Sequence, residues 1–190
     1  QNQTMAIASV ENVQVHDEMT NIYIKAEIAF YRQQYGQAAK LYKSTRSNNE
    51  IDKSFYTRSN GEAAIHLAYS YQQLEQYNEA EQLINDYLAY LKLEKDRKTN
   101  HPSYFYKMAT ISALRNNKEE VYYYLQAAID AGWIKTWQAD NEPVLAFLSQ
   151  EQQYIQMIGG VNAKLENMKR RLNNEESFLL ADSESFESFH

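Results

Sequence analysis

Apolar residues in the middle of the chain recur at steps of three and four, the spacing that places side chains on one face of an α-helix. One such stripe consists of Ala64, Leu67, Ala68, Tyr71 and Leu74, and the next consists of Leu83, Ile84, Tyr87, Leu88 and Leu91. The spacing predicts two amphipathic helices that pack as an antiparallel hairpin. Ser59 and Glu62 have capping-box spacing and predict the start of the first helix, and the second is predicted to begin near Asn78.

The same spacing occurs on either side of this hairpin. The following unit has stripes at Phe105, Met108, Ala109 and Ser112, then at Val121, Tyr124, Leu125, Ala128 and Ile129. The preceding unit is less regular, with stripes at Ile22, Ala26 and Ala29, then at Ala38, Leu41 and Tyr42. Asn117 and Glu120 predict a second capping box, and Gly132 predicts a helix end onto which Trp133 folds back. The polar run 44–53 predicts a loop.

A motif recurs through these units at a nearly constant step. YGQAAKLY begins at Tyr35, YNEAEQLI at Tyr77 and KEEVYYYL at Lys118, so the steps are 42 and 41 residues. Self-similarity at such a period indicates stacked repeats. Two prolines and five glycines are too few for the turns of an all-β fold, so the sequence predicts an all-α helical-hairpin solenoid. Its domain organisation is a lead-in over 1–18 and three hairpins over 19–132, at about 19–46, 59–94 and 101–131.

The pattern changes after Gly132, and residues 133–172 are predicted to form capping helices. Apolar residues in a four-three seam follow one helix: Tyr154, Ile158, Val161, Leu165, Met168 and Leu172. The seam predicts a helix that covers the last repeat, and a dimer contact is the alternative. Residues 173–190 form an acidic, serine-rich tail of the composition typical of disorder. Its phenylalanines, from Phe178 to Phe189, are predicted to dock on the helices of the same chain or of a second copy.

Composition restricts the classes of partner. The net charge of −6 opposes binding to nucleic acid or to an anionic membrane, and no apolar run reaches the ~18 residues that would span a bilayer. The absence of cysteine excludes disulfides and thiolate chemistry and leaves both a cytoplasmic and a periplasmic location open. Because the chain begins at Gln1, we expect a processed protein or a piece of a longer one.

Residues arranged for catalysis are scarce. The histidines are scattered, and no metalloprotease motif or glycine-rich phosphate loop occurs. Adjacent carboxylates such as Glu119 and Glu120 diverge on a helix and do not act on one substrate atom. His66 is predicted to be an ordinary histidine on a polar helix face. The sequence therefore predicts no catalytic residue, no metal site, no cofactor and no enzymatic activity.

The repeat unit resembles the tetratricopeptide repeat (TPR) family. Residues at the helix-packing positions of that family are Leu67, Ala68, Tyr71, Tyr77, Ala80 and Ile84, and the resemblance covers about 19–132. The 41 to 42-residue step is longer than the family's common 34 and is similar to its long-helix variants. Lys25, Thr45 and Tyr87 depart from the small or apolar residues that the family prefers there.

This resemblance implies a right-handed solenoid that binds a protein or peptide in a concave groove. The groove residues that it implies are Tyr23, Glu27, Phe30, Tyr31, His66, Tyr69, Gln72, Gln73, Tyr106 and Thr110. Packing of Phe30 and Tyr31 between repeats is an equal alternative. Tyrosine and amide side chains suit extended peptides, because they combine contact area with hydrogen bonding.

Residues 127–158 also resemble the end of TPR arrays in bacterial multidomain regulators. This resemblance rests mainly on Gly132, Trp133, Pro143 and Leu148. In those signalling proteins and transcriptional regulators the array follows a DNA-binding, cyclase or kinase domain. The leading functional hypothesis is therefore an interaction scaffold within a bacterial regulator. The alternative is a structural module that forms oligomers through the C-terminal helix and tail.

Overall fold

The computed structural model describes residues 18–45, 56, 61–95 and 101–187, with side chains described over 21–45, 56, 61–93 and 101–173. The lead-in over 1–17, the predicted loop over 46–53 and the Ser59 cap lie outside the described residues. The side chains of the tail phenylalanines lie outside them as well.

The described chain is built from helices and contains no strand, which confirms the all-α prediction. In order, the elements are α1 Glu18–Tyr31, α2 Tyr35–Ser44, α3 Glu62–Gln73, α4 Tyr77–Lys95, α5 Pro102–Leu114, α6 Lys118–Asp130, α7 Thr136–Asn141, a 3-10 helix Pro143–Leu148, and α8 Gln152–Glu187.

Successive helices pack in pairs: α1 on α2, α3 on α4, and α5 on α6. The helix α3 is central, because it also contacts α1, α2 and α5. Alanines at the contacts, among them Ala38, Ala64 and Ala109, are buried and allow the helices to approach closely. Larger side chains such as Tyr42 and Leu67 fill the remaining space in the core.

The turns within the three pairs have one geometry. Gln33, Glu75 and Asn116 each have a left-handed backbone, with φ of 60°, 61° and 54°, and each precedes by two residues the start of the second helix. In the first turn, Gln33 N–H donates to the Phe30 carbonyl at 2.8 Å and Gln34 N–H donates to the Ala29 carbonyl at 2.9 Å. The other turns repeat these two bonds, which form a Schellman motif. The recurring sequence motif therefore marks the start of each second helix.

The structure confirms two of the predicted helix ends, at Gly132 and at Asn117. Gly132 is the left-handed residue after α6, with φ of 95°, and Trp133 N–H donates to the Ala128 carbonyl at 2.8 Å. Asn117 caps α6 by accepting from Glu120 N–H. The capping box predicted at Ser59 and Glu62 depends on Ser59, which lies outside the described residues; α3 begins at Glu62.

Gly61 directly precedes α3 and has a φ of 87°. A Cβ at this position would lie 1.7 Å from Tyr87 Oη, so only glycine fits between the α3 entry and α4. The close approach of another helix, which periodicity does not reveal, fixes the start of α3.

Among the described side chains of α8, those along its first part are packed against the other helices. Tyr154, Ile158 and Val161 of the predicted seam are buried, Leu165 is half-buried, and Met168 and Leu172 are 52% and 63% exposed. The helix contacts α6 and α7, and it continues without a break through the predicted boundary at Asn173 to Glu187. None of the helices in the described ranges combines the length and the apolar character needed to cross a membrane.

Candidate functional site: a buried histidine between two carboxylates, and the adjoining cleft

His66 lies at the centre of the molecule, and its predicted place on an ordinary polar face is wrong. It is completely buried on α3, with Nδ1 3.0 Å from Glu27 Oε1 and Nε2 3.3 Å from Glu142 Oε2. Glu27 comes from α1, and Glu142 comes from the link between α7 and the 3-10 helix. The face of α3 opposite the apolar stripe that contains Leu67 is therefore also buried. The polar side chain of His66 on this face pairs with carboxylates from elements that are distant in the sequence.

The two carboxylates keep the imidazole of His66 in its charged form. Burial by itself lowers the pKa of His66, but the neighbouring Glu27 and Glu142 outweigh it and raise the pKa well above its usual value. Burial raises the pKa of Glu27, but His66 and the hydroxyls of Tyr42 and Tyr23 lower it more. A protonated imidazole donates from both nitrogens, which satisfies one oxygen of each carboxylate.

The remaining contacts of this cluster are also polar or aromatic. Tyr42 Oη donates to Glu27 Oε1 at 2.5 Å. Glu142 Oε1 accepts from Val144 N–H at 3.2 Å and so caps the 3-10 helix. The ring of Phe30 stacks on His66 with a centroid distance of 4.0 Å and an interplanar angle of 12°. A flat aromatic face against an imidazolium gives a favourable cation–π contact.

Glu142 attaches the C-terminal segment to the helices that were predicted to line a groove. The 3-10 helix packs on α5, and the Glu142 carboxylate contacts Nε2 of His66 on α3. Residues 133–148, which are defined here as the covering segment, therefore lie over part of the face that the TPR resemblance assigned to a partner.

Half of the predicted groove residues are consequently buried. The buried ones are Glu27, Phe30, His66, Tyr106 and Thr110, so the prediction that they are open to a partner is wrong. The physical reason is that the neighbouring helices and the covering segment pack on them. Phe30 packs between helices, as the alternative interpretation held.

The other predicted groove residues keep some contact with solvent. Tyr23, Tyr31, Tyr69 and Gln72 are half-buried, and Gln73 is exposed. The amide of Gln72 is already engaged, since its Nε2 donates to the Leu114 carbonyl at the end of α5 at 2.7 Å. The accessible part of the predicted groove is thus mainly tyrosine.

A cleft of about 170 Å³ adjoins the cluster between α3, α5 and the covering segment. The residues on its wall include the acidic Glu62 and Glu142, the aromatic Tyr106 and Trp133, and the basic Lys107 and Lys135. Gln138 Nε2 donates to Glu62 Oε1 at 2.5 Å. Burial, together with the nearby Glu142 and Glu27, raises the pKa of Glu62 to about 7 against the lowering effect of His66 and Lys135.

Two aromatic residues form one side of this cleft. Tyr106 and Trp133 stack with ring centroids 4.9 Å apart and planes 13° from parallel. Both are buried, and neither Tyr106 Oη nor Trp133 Nε1 has a hydrogen-bond partner among the described residues. Buried polar groups normally have such partners, so these two atoms are unusual.

Sequence reasoning missed Glu62 and Glu142 as members of one site. In the sequence, Glu62 is half of a predicted capping box, which is a local role, and nothing near Glu142 marks it as a partner of the distant His66. Within the described ranges, no group of three or more histidine, aspartate or glutamate side chains is arranged to hold a metal ion. Comparison with known proteins gives no match to a family model, a curated protein or a solved structure.

Proposed function

We propose that this chain is a protein-interaction scaffold of the long-helix TPR type, in which three helical hairpins stack as a right-handed solenoid. The support is the threefold repetition of one hairpin geometry, with the same left-handed residue and the same two hydrogen bonds in each turn. A repeat stack presents one extended surface and leaves its loops and outer residues free to vary, which suits capture of a partner. Its partner in this proposal is a peptide or a helix, and the chain has no catalytic role.

The observation that carries the proposal is an ordered aromatic surface on α1, α2 and α3. Phe30 is buried at its centre, and the half-buried rings of Tyr31, Tyr35 and Tyr69 contact Phe30 by their edges at centroid distances of 5.4, 6.0 and 5.8 Å. Tyr35 and Tyr69 also contact each other at 5.7 Å. We call Tyr31, Tyr35 and Tyr69 the tyrosine face.

Such a face is well suited to bind a peptide. The tyrosines are held in place before binding, so little side-chain entropy is lost when a partner arrives. The rings offer apolar area in fixed positions, and aromatic area of this kind is common at binding hot spots. Peptide binding in this proposal uses the tyrosine face and Gln73 rather than the inner helix positions that the covering segment occupies.

A selected peptide tests the proposal. Peptides are selected on the intact chain from a random phage-displayed library, synthesised with a fluorophore, and titrated by fluorescence polarisation. We expect Tyr69→Ala to weaken binding by about 1 to 3 kcal/mol, about 5- to 150-fold, as for an aromatic hot spot. Tyr123→Ala is the matched control, because Tyr123 is 69% exposed on α6, and its removal should leave affinity unchanged.

Circular dichroism must show that both variants remain folded at the assay temperature. Equal affinities of the Tyr69 and Tyr123 variants for every selected peptide would place binding elsewhere and refute the tyrosine face. Failure to select any peptide against the folded chain would refute the scaffold function itself.

A second candidate function, oligomerisation, is favoured by the outer part of α8. Met168 and Leu172 continue the seam of Tyr154, Ile158 and Val161 beyond the point where the helix is covered. An apolar stripe on a projecting helix can pair with the same stripe of a second copy. Light scattering after size exclusion would then show a dimer that Leu172→Glu dissociates. Ala163→Glu, which adds the same charge on the opposite face, should leave the dimer intact, and a monomeric parent chain would exclude this candidate.

The proposal also places the chain within a larger bacterial signalling protein or transcriptional regulator. Its support is the resemblance at residues 127–158, together with the buried Trp133 and Leu148 in that segment. The sequence of the gene on either side of the region that encodes this chain tests it, because an adjoining DNA-binding, cyclase or kinase domain is expected.

A further inference from the structure

The cleft between α3, α5 and the covering segment is chemically distinct from the tyrosine face. At about 170 Å³ it is smaller than the roughly 300 to 1,000 Å³ of sites for drug-sized ligands. A nucleotide or a folded peptide segment is therefore too large, and the cleft is suited to a small metabolite. The groups on its wall indicate the charges of that ligand.

Glu62 supplies a carboxylate that has no cation within ion-pair distance among the described residues. Its described hydrogen bond comes from the neutral amide of Gln138, and it forms no ion pair within the described part of the chain. The other carboxylates nearby, Glu27 and Glu142, are both engaged by His66. Burial and these two carboxylates raise the pKa of Glu62 to about 7, although His66 and Lys135 act to lower it. A ligand that carries an ammonium group would place a positive charge within ion-pair distance of Glu62.

Lys135 supplies the opposite requirement. It is exposed at the same cleft, so a carboxylate on the ligand would pair with its ammonium. The indole N–H of Trp133 and the hydroxyl of Tyr106 have no described partner, but both atoms are buried and a ligand in the cleft does not reach them.

The cleft wall also has an apolar part, which indicates the kind of side chain that the ligand would carry. Ile65 and Ile134 line the cleft together with the stacked rings of Tyr106 and Trp133. These surfaces suit a short apolar side chain, which gains from being removed from water.

We propose that this cleft binds a free α-amino acid with an apolar side chain, whose ammonium pairs with Glu62 and whose carboxylate pairs with Lys135. Both charges of the ligand and its side chain then meet matching groups. Because the cleft adjoins the covering segment, an amino acid bound there contacts both the repeats and their C-terminal cap. This small-molecule site goes beyond the proposed capture of peptides and does not depend on it.

Calorimetry with matched ligands tests the proposal. The chain is first screened by thermal shift against L-leucine, L-isoleucine, L-valine, L-methionine and L-phenylalanine, with glycine as the reference, and the best ligand is titrated calorimetrically. We expect at least one of the five to bind about tenfold or more tightly than its amine analogue without the carboxylate and its acid analogue without the ammonium. For leucine these analogues are isoamylamine and 4-methylpentanoate.

Variants identify the residues involved. Glu62→Gln keeps the size of the side chain and should weaken amino-acid binding about tenfold or more, and Lys135→Ala should weaken it by a smaller factor. Glu79→Gln removes a carboxylate from the exposed first turn of α4 and should leave binding unchanged.

Proton release provides an independent measurement. An ammonium beside Glu62 favours the ionised carboxylate, so binding at pH 7 should release protons, and the measured enthalpy should differ between phosphate and Tris buffers. The Glu62→Gln variant should lose this difference. The proposal is overturned if no amino acid of the panel binds, if the amine alone binds as tightly as the amino acid, or if Glu62→Gln binds unchanged.

Discussion

Glu62→Gln should make the chain more stable at pH 8 and leave its stability nearly unchanged at pH 5. The folded-state pKa of Glu62 is raised from 4.5 to about 7, chiefly because this half-buried group is partly removed from water. A raised pKa means that the stability contribution of Glu62 is fully present below pH 4.5 and is lost as the pH rises through about 7. Glutamine can still accept the hydrogen bond from Gln138 but carries no charge, so the variant does not undergo this loss.

The magnitude follows from the size of the pKa shift. Each pKa unit corresponds to 1.36 kcal/mol, so between pH 5 and pH 8 the parent chain should lose about 3 kcal/mol that the variant keeps. His66 also has a raised pKa, and its contribution falls above pH 6.5 in both proteins. The difference between parent and variant at each pH therefore isolates Glu62.

Urea denaturation followed by circular dichroism at 222 nm, at half-unit steps from pH 5 to pH 8, measures this difference. Glu79→Gln is the control, because Glu79 is exposed and its removal should shift the curve without changing its slope over this range. Parallel stability curves for the parent and Glu62→Gln would refute the reasoning, since they would mean that Glu62 is solvated in the folded chain.

Three further predictions concern the core and the turns. His66→Leu should lower the free energy of unfolding by about 3 to 5 kcal/mol in urea titrations at pH 6, because it leaves two buried carboxylates without a counter-charge. Gly61→Ala should lower the free energy of unfolding by about 2 to 4 kcal/mol, because the new Cβ would meet Tyr87 and the backbone φ is 87°. Gly36→Ala should raise the free energy of unfolding by about 0.5 to 1 kcal/mol, because there is open space around Gly36 in α2. Glu75→Gly should raise the melting temperature slightly, by relieving about 1 kcal/mol of left-handed strain; an unchanged or lower melting temperature would contradict this.

Local sequence patterns were sufficient to predict the helical elements. The motif starts at Tyr35, Tyr77 and Lys118 are the first residues of α2, α4 and α6. Periodicity and helix-end residues depend on neighbours within one turn, so they can be recognised in a single sequence. Gly132 was predicted for the same reason, because the left-handed residue at a helix end has a local signature.

The candidate site could not be predicted in this way. His66 is 39 residues from Glu27 and 76 residues from Glu142, and neither separation matches the repeat step. Pairing of these side chains depends on how α1 and the covering segment pack on α3, which is a tertiary property. A histidine on the face opposite an apolar stripe has the same local sequence whether that face meets water or another element.

The charge of the buried cluster bears on how the covering segment is held. Replacement of a buried ion cluster by apolar residues is often neutral or stabilising, so the cluster of Glu27, His66 and Glu142 is weak support for stability as such. The cluster has a stronger effect on which position the covering segment adopts on the helices. If the covering segment lay elsewhere on the helices, His66 would lose one of its two carboxylates and Glu142 would be separated from its cation, at a cost of several kcal/mol. An apolar contact of the same area would tolerate a shifted arrangement with a smaller loss. We therefore infer that the ionic contact selects one position for the covering segment, and this position sets both the boundary of the tyrosine face and the shape of the cleft beside Glu62.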